Sequence, residues 1–511
     1  MWPLDIIPTT VWLLAVTLTL CYVFKRWFAS SSSSSSSSKC LPPGPRGVAA
    51  LQTVMTGVRY GSFHLEISNW APRGTPVSMC AGPLATFVSI NNPGLVREVF
   101  SDRYTEAITS DRPPTFIGSF LFYGPKDIAM APVTPEWTAQ RKMFHSALRL
   151  YGDGVQKFES TVQGELRHMI ERLEQHTGED ICIEEHISDT LLCVLSILMT
   201  GERPGPESTL PVTMRALDKA VSTMGTLGVD LPLQLCPLLR HVPGWFRDQC
   251  SLTLRCRDQL IEPILSHAKA TVCRDQPRGI VDAMLLAQDG FSASVTDDHV
   301  KGVMLDIIVG GYVTSLTSFL STVVVLLNLP HVARAIQDEI DRNVGQRTPT
   351  LDDRRHLHYT EATLLEVLRY MRFFALGLPH VCSQDITIAG YFIPKGSTLV
   401  ANQWECNMDP TAWDKPEQFL PERFLDKEGK LLPADHPTRK NLLPFGIGKR
   451  VCPGETFART RLYLLITTLL QRFDFLPPSD KKIIPLDNIP WAPGAVLLLP
   501  SFKCRVQKRT S

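Results

Sequence analysis

The chain has 511 residues, 44% of them hydrophobic and 20% charged, a balance that excludes a disordered, collagenous or low-complexity protein. Lys plus Arg total 52 against 51 for Asp plus Glu, a net charge of +1, so no strong positive field is available and nucleic acid is excluded as the main partner. Thirteen cysteines, an odd number with no CxxC pair, argue against a disulfide framework or a zinc ribbon and for reduced, mostly buried thiols.

The first predicted element is the uncharged run of nineteen residues from Ile6 to Phe24, bounded by Asp5 and by Lys25-Arg26. It is long enough to span a bilayer, and the basic pair that follows it predicts a cytosolic body. A cleaved signal peptide would carry its positive charge ahead of the apolar run. Nine serines, Ser30 to Ser38, and the segment Leu41-Pro42-Pro43-Gly44-Pro45-Arg46-Gly47 read as a flexible and then a stiff linker. The expected organisation is an N-terminal membrane anchor over 1–28, a Ser-rich and Pro-rich linker over 29–47 and one catalytic domain over 48–511.

Between about 50 and 100 the pattern predicts strands, at Thr75–Cys80 and Ala85–Ile90, separated by Gly and Pro breaks. From about 135 to 345 helical periodicity dominates, notably over Val155–Glu174 and Asp297–Leu329. A second patch, about 385 to 402, contains two short strands around a turn in Ile386–Lys395. The fold class expected is mainly α with small β-sheets gathered toward one side.

The sharpest chemical signal is Phe445-Gly446-Ile447-Gly448-Lys449-Arg450-Val451-Cys452-Pro453-Gly454, followed by a helical run from Glu455 to Phe473. Glycines bracket one cysteine at the mouth of a helix, where backbone N–H groups, the helix N-terminus and Arg450 are expected to lower the thiol pKa. A single thiolate without neighbouring ligands suits the proximal side of haem iron better than zinc. A phosphate loop fails, because Arg450 stands where Ser or Thr is required and no glycine lies five residues before Gly448.

In these residues the chain resembles the cytochrome P450 superfamily of haem-thiolate monooxygenases, whose pattern Phe-x-x-Gly-x-Arg-x-Cys-x-Gly is matched at every fixed position. The resemblance implies the cytochrome P450 fold behind one N-terminal transmembrane helix, and haem b (iron protoporphyrin IX) as cofactor with Cys452 as its metal ligand. Glu366-Val367-Leu368-Arg369 and Pro421-Glu422-Arg423-Phe424 look like the family's Glu-x-x-Arg and Pro-x-Arg-Phe elements. They imply a buried network of Glu366, Arg369 and Arg423 supporting the cysteine loop. Trp137 and Arg141 repeat the family's Trp-x-x-x-Arg and, with His380, Phe445 and Arg450, are expected to bind the cofactor.

On the oxygen side, Gly310-Gly311-Tyr312-Val313-Thr314-Ser315 resembles the family's Ala/Gly-Gly-x-Asp/Glu-Thr-Thr/Ser. Thr314 is the expected catalytic residue, its hydroxyl bonding back to the Gly310 carbonyl and opening a local kink. Val313 departs from the pattern by replacing the acid expected before the threonine, and water with Thr314 and Ser315 is expected to suffice. Two other readings stay open: a haem-thiolate isomerase or dehydratase that does not use dioxygen, and a non-catalytic protein that binds haem and an apolar ligand.

Phe116, Phe120, Phe122, Val313, Phe374 and Leu376 are the candidate substrate pocket, and their apolar character favours a flat, apolar small molecule. Within the superfamily the chain looks like the aryl-hydrocarbon-oxidising microsomal enzymes and the steroid 17- and 21-hydroxylases. That implies hydroxylation of a steroid-like or polycyclic aromatic substrate using dioxygen and electrons from NADPH. It also implies a single-pass position in the endoplasmic reticulum membrane, with membrane lipid, NADPH–cytochrome P450 reductase and cytochrome b5 as partners. Lys142, Arg439, Lys440 and Lys449 are expected to form a basic docking face.

Overall fold

The computed structural model describes residues 40–82, 85–151, 156–288, 290, 295–494 and 496–509. The expected membrane anchor and the serine run lie outside these residues. The proline-rich segment does not hang free of the body: Met79 and Ala81 donate backbone N–H groups to the Pro43 and Pro45 carbonyls. Its prolines lack donors but keep acceptors, so they can edge a strand without joining a helix.

The region from 50 to 100 is more helical than its sequence pattern suggests. Helix α1 (Val48–Tyr60) and helix α2 (Pro93–Ser101) flank strands β1 (Val77–Ala81) and β2 (Thr86–Ile90). α2 starts where Asn92 accepts from the Leu95 N–H and Pro93 opens the first turn. Helices α3 (Arg103–Thr109), α4 (Phe116–Leu121) and α5 (Pro135–Leu148) follow. Thr134 caps α5 by accepting from Trp137, which sets the register that places Trp137 and Arg141 on one face.

The helical body then runs through α6 (Gln156–Glu174), α7 (Ile183–Thr200), α8 (Leu210–Met224) and α9 (Trp245–Thr271). Strand β3 (Asp180–Ile181) lies between α6 and α7. The predicted long helix is split in two, α10 (Asp297–Gly311) and α11 (Val313–Asn328), with Tyr312 at the junction. Thr296 and His299 form a capping box at its start. This is the one stretch among the described residues long and apolar enough to cross a membrane, and it is a core helix, buried among α7, α9 and the C-terminal helix.

Helix α12 (His358–Tyr370) precedes β4 (His380–Val381), the hairpin β5 (Ile386–Ile388) and β6 (Tyr391–Ile393), and β7 (Thr398–Ala401). Helix α13 (Glu455–Arg472) leads into β8 (Phe473–Leu476), and β9 (Cys504–Lys508) closes the described chain. The sheets are small: β1-β2-β7-β4, β3-β9-β8 and β5-β6. β7 pairs parallel to β2 with Val88 opposite Leu399, so segments more than 300 residues apart share one sheet. No cysteine pair is bonded among the described residues; half of those cysteines are buried, and Cys452 is one of the exposed ones.

Candidate haem-thiolate site

The cysteine loop is shaped by close packing. Gly446 and Gly448 both adopt φ 71°, and a Cβ at Gly448 would stand 1.9 Å from the Phe100 carbonyl oxygen. Only glycine fits there. The Lys449 N–H donates to Glu106 and the Cys452 N–H to the Phe445 carbonyl, so the loop is fastened to α2 and α3 and folded onto itself. Cys452 emerges just before α13 with its side chain accessible.

The thiol does not behave as the sequence suggested. Burial among protein atoms pushes it above its ordinary value; the Gly454 N–H and Arg141 oppose this, while Glu455 and Asp306 reinforce it. Arg450 is turned elsewhere, donating to the carbonyls of Ser110, Ile128 and Ala131. A thiol in this setting needs a cationic partner to ionise fully, and a ferric iron is such a partner.

Near the Cys452 thiol, α10 and the first turn of α11 carry an open stripe along one face. Asp306, Val309 and Thr314 are partly exposed, Gly310 is exposed, and a Cβ at Gly310 would meet nothing within 4 Å. The i, i+4, i+8 spacing of 306, 310 and 314 puts them on one face. Thr314 donates its hydroxyl to the Gly310 carbonyl at 2.6 Å, as expected from sequence. Val313 is turned into the main core at 6% exposure, off the open stripe.

Between loop and stripe lies a cluster of cations with no carboxylate salt bridge among the described residues. Arg141 donates to the Val451 carbonyl, and both Arg141 and Arg450 lie over the Trp137 ring, at 5.6 and 4.3 Å. The Trp137 indole donates to the Ile128 carbonyl. His380 touches the Thr109 carbonyl through Nδ1 and packs 4.3 Å from Phe100, and burial holds its pKa well below the ordinary value. Phe445 is half-buried beneath Arg459, 4.7 Å away.

Sequence reasoning missed Arg112, which is 7% exposed and donates to the carbonyls of Ala129, Leu378 and Pro379. Burial and the neighbouring Arg450 pull its pKa down to about 9. No motif surrounds it, so only its position beside His380 and Arg450 reveals it. The carboxylates Asp127 and Asp306 were missed too. Asp306 accepts from the Ile128 N–H, Asp127 accepts from Met130, and burial raises both pKa values, Asp127 to about 6.

The donor set fits haem b. One accessible thiol suits an axial iron ligand, an open glycine suits a flat macrocycle, and Arg112, Arg141, Arg450, Trp137 and His380 suit its two propionates.

Glu366, Arg369 and Arg423 do come together. Arg369 forms two bonds to Glu366, at 2.8 and 2.7 Å, and Arg423 lies 3.0 Å from the same carboxylate, all deeply buried. What the network holds is the stretch 407–423: Arg369 donates to the carbonyls of Asn407, Pro416 and Gln418, and Glu366 accepts from Leu420. None of these bonds reaches the cysteine loop itself.

Of the candidate pocket residues, Phe116 and Phe120 stack at 4.9 Å, Phe122 is buried, and Phe374 is partly buried against the main core. Leu376 also packs toward α1 and Trp70. Lys142, Lys440 and Lys449 are exposed, while Arg439 is partly turned inward to the Leu432 carbonyl.

Comparison with known proteins agrees with this geometry. The family model for cytochrome P450 matches residues 42–504. The chain is 34% identical over 412 residues to steroid 17-alpha-hydroxylase/17,20 lyase of Gallus gallus, covering 78% of each protein. It is 30% identical to cytochrome P450 2U1 of Homo sapiens, over 75% of this chain and 69% of that one. A solved zebra fish cytochrome P450 with progesterone superposes with a TM-score of 0.73 at 29% identity, covering 90% of this chain and 99% of that one.

The chain therefore belongs to the cytochrome P450 family and is a haem b monooxygenase of the microsomal type.

Proposed function

We propose that this member of the cytochrome P450 family hydroxylates a flat, apolar, steroid-like or polycyclic aromatic substrate, using dioxygen and two electrons originating from NADPH. The observation that carries the reading is the accessible Cys452 thiol within electrostatic reach of Asp306, which lies on the open helical stripe that ends in Thr314. Support for the substrate class comes from the stacked, apolar segment Phe116–Phe122 and from relatives named as steroid hydroxylases.

Cys452 would supply the sulfur ligand to the haem iron, and Arg112, Arg141, Arg450, Trp137 and His380 would hold the propionates. Haem b, when bound, supplies the dioxygen chemistry. Thr314 Oγ1 is the hydroxyl placed to order a water on the oxygen side, releasing its bond to the Gly310 carbonyl as it turns. With Val313 apolar, Asp306 is the acid on the open stripe, two turns before Thr314, and burial raises its pKa above the usual carboxylate range. Phe116, Phe120, Phe122, Phe374 and Leu376 exclude water from the apolar ligand.

The run from Ile6 to Phe24 anchors the body at the endoplasmic reticulum membrane as a single pass, leaving the catalytic domain in the cytosol. A microsomal flavoprotein reductase, with cytochrome b5 as a second donor, meets the exposed Lys142, Lys440 and Lys449.

The reduced carbon monoxide complex should show the red-shifted thiolate band, and Cys452→Ser should abolish it. Retention of that band in Cys452→Ser removes the ligand assignment. Product formation should require reductase, NADPH and oxygen. Turnover of a peroxide substrate without NADPH would replace the monooxygenase reading with an isomerase or dehydratase one.

A further inference from the structure

Arg461 is a buried charge without a carboxylate partner among the described residues. It sits inside α13, is 4% exposed, and forms no salt bridge among the described residues. Its Nε has no partner among them, and burial alone pulls its pKa down to about 10. A buried guanidinium without a carboxylate is costly, so its retained contacts indicate its use. Those contacts are the Gly311 carbonyl, at 2.7 Å, and the Ser315 hydroxyl. Gly311 and Ser315 flank Thr314.

The backbone explains why Gly311 needs a donor. In an unbroken helix its carbonyl would accept from the Ser315 N–H. At the α10–α11 junction that N–H turns to the Tyr312 carbonyl instead, at 3.1 Å, while Leu316 also donates to Tyr312 at 3.0 Å. Thr314 Oγ1 meanwhile takes the Gly310 carbonyl. The break thus leaves the Gly311 carbonyl without a backbone donor among the described residues, and Arg461 reaches across from α13 to cap it. Since α13 begins three residues after Cys452, one rigid helix connects the cysteine side to the oxygen-side break.

We propose that Arg461 is a positioning residue for the oxygen-side groove: from the cysteine-bearing helix it caps the Gly311 carbonyl and holds Ser315, and so fixes the break that presents Thr314. This rests on the reading of Thr314 as the oxygen-side residue. The brace acts through Gly311 and Ser315. It also accounts for a chain that has lost the acid at Val313: the polar partner of the break is a cation behind the helix.

The test uses the full-length haem-loaded protein and Arg461→Met, which keeps the volume and removes the charge. Melting should be no lower than in the parent, because an unpaired buried charge is exchanged for an apolar side chain. Amide hydrogen exchange over 311–316 should rise roughly tenfold, as expected for loss of one charge-assisted hydrogen bond. The share of NADPH electrons lost as hydrogen peroxide should rise, with substrate KM little changed. Arg461→Lys, which keeps charge but not the fork, should fall between.

Unchanged exchange over 311–316 in folded Arg461→Met overturns the proposal. If Arg461→Met does not fold, the cycle of Arg461→Gln with Ser315→Ala decides by the same exchange measurement: non-additive effects support the brace and additive ones overturn it. If exchange rises but Thr314→Ala leaves coupling untouched, the brace stands and the reading of Thr314 fails.

Discussion

The structure contains two buried sets of arginines that differ in what neutralises them. In the Glu366 set, Arg369 and Arg423 share one carboxylate and six backbone carbonyl contacts tie them to the stretch 407–423. In the Arg112 set, Arg112, Arg141 and Arg450 point toward one another's surroundings and bond to carbonyls without a carboxylate salt bridge among the described residues. The first set is complete within the polypeptide. The second is a cationic cradle whose nearby carboxylates, Asp127 and Asp306, are both pushed up by burial and form no salt bridge with it among the described residues. A cluster built on its own buried carboxylate serves the fold, whereas one without a carboxylate salt bridge serves an anionic guest such as a dicarboxylate cofactor.

The largest effect that would break this contrast is at Glu366. Glu366→Gln leaves two buried arginines without a counter-charge and should cost about 3–5 kcal/mol, seen as loss of folded, haem-loaded protein on denaturant titration. A midpoint close to the parent's would show that the network is dispensable.

Arg112→Gln or Arg450→Gln should behave in the opposite way. Each should weaken haem retention by about 1.5–3 kcal/mol, measured as faster haem transfer to an acceptor apoprotein, with a smaller change in the denaturation midpoint than Glu366→Gln. Equal losses of fold and haem would erase the distinction between the two sets.

The last effect is read from its pH dependence and concerns a third arrangement, a carboxyl with no salt bridge among the described residues. Asp218 on α8 is buried, its Oδ1 has no partner among the described residues, and burial raises its pKa to about 7. Because the folded pKa exceeds the unfolded value, the folded state binds the proton more tightly, and stability falls as pH rises from about 4 to 7. Asp218→Asn, which resembles the protonated form, should therefore raise the melting temperature at pH 8 and lose its advantage below about pH 4. A gain independent of pH would mean that packing, and not charge burial, sets the effect.

Much of the site was legible in the sequence because its elements are local. The Cys452 loop needs particular glycines at fixed offsets, Trp137 and Arg141 need only one helical turn, and Thr314 bonds a carbonyl four residues back. The Glu366–Arg369 pair is likewise a helix-spacing feature. Strands near 75 and 85 carried clear breaks, but α1 and α2 did not, since a strand expectation from Gly and Pro punctuation overlooked the Asn92 cap and Pro93 start.

Arg112, Asp127, Asp306 and Arg461 carried no local signature. Their meaning depends on neighbours far along the chain: Arg112 on Leu378 and Pro379, Asp306 on Ile128, Arg461 on Gly311. The sequence by itself determined the family, the candidate thiol and the kinked helix, because hydrogen bonds and side-chain spacing within a few residues suffice for them. Only the tertiary structure decided which charges are neutralised and which are left for a guest. Burial and long-range contact govern that, and neither is a property of a residue's immediate neighbours.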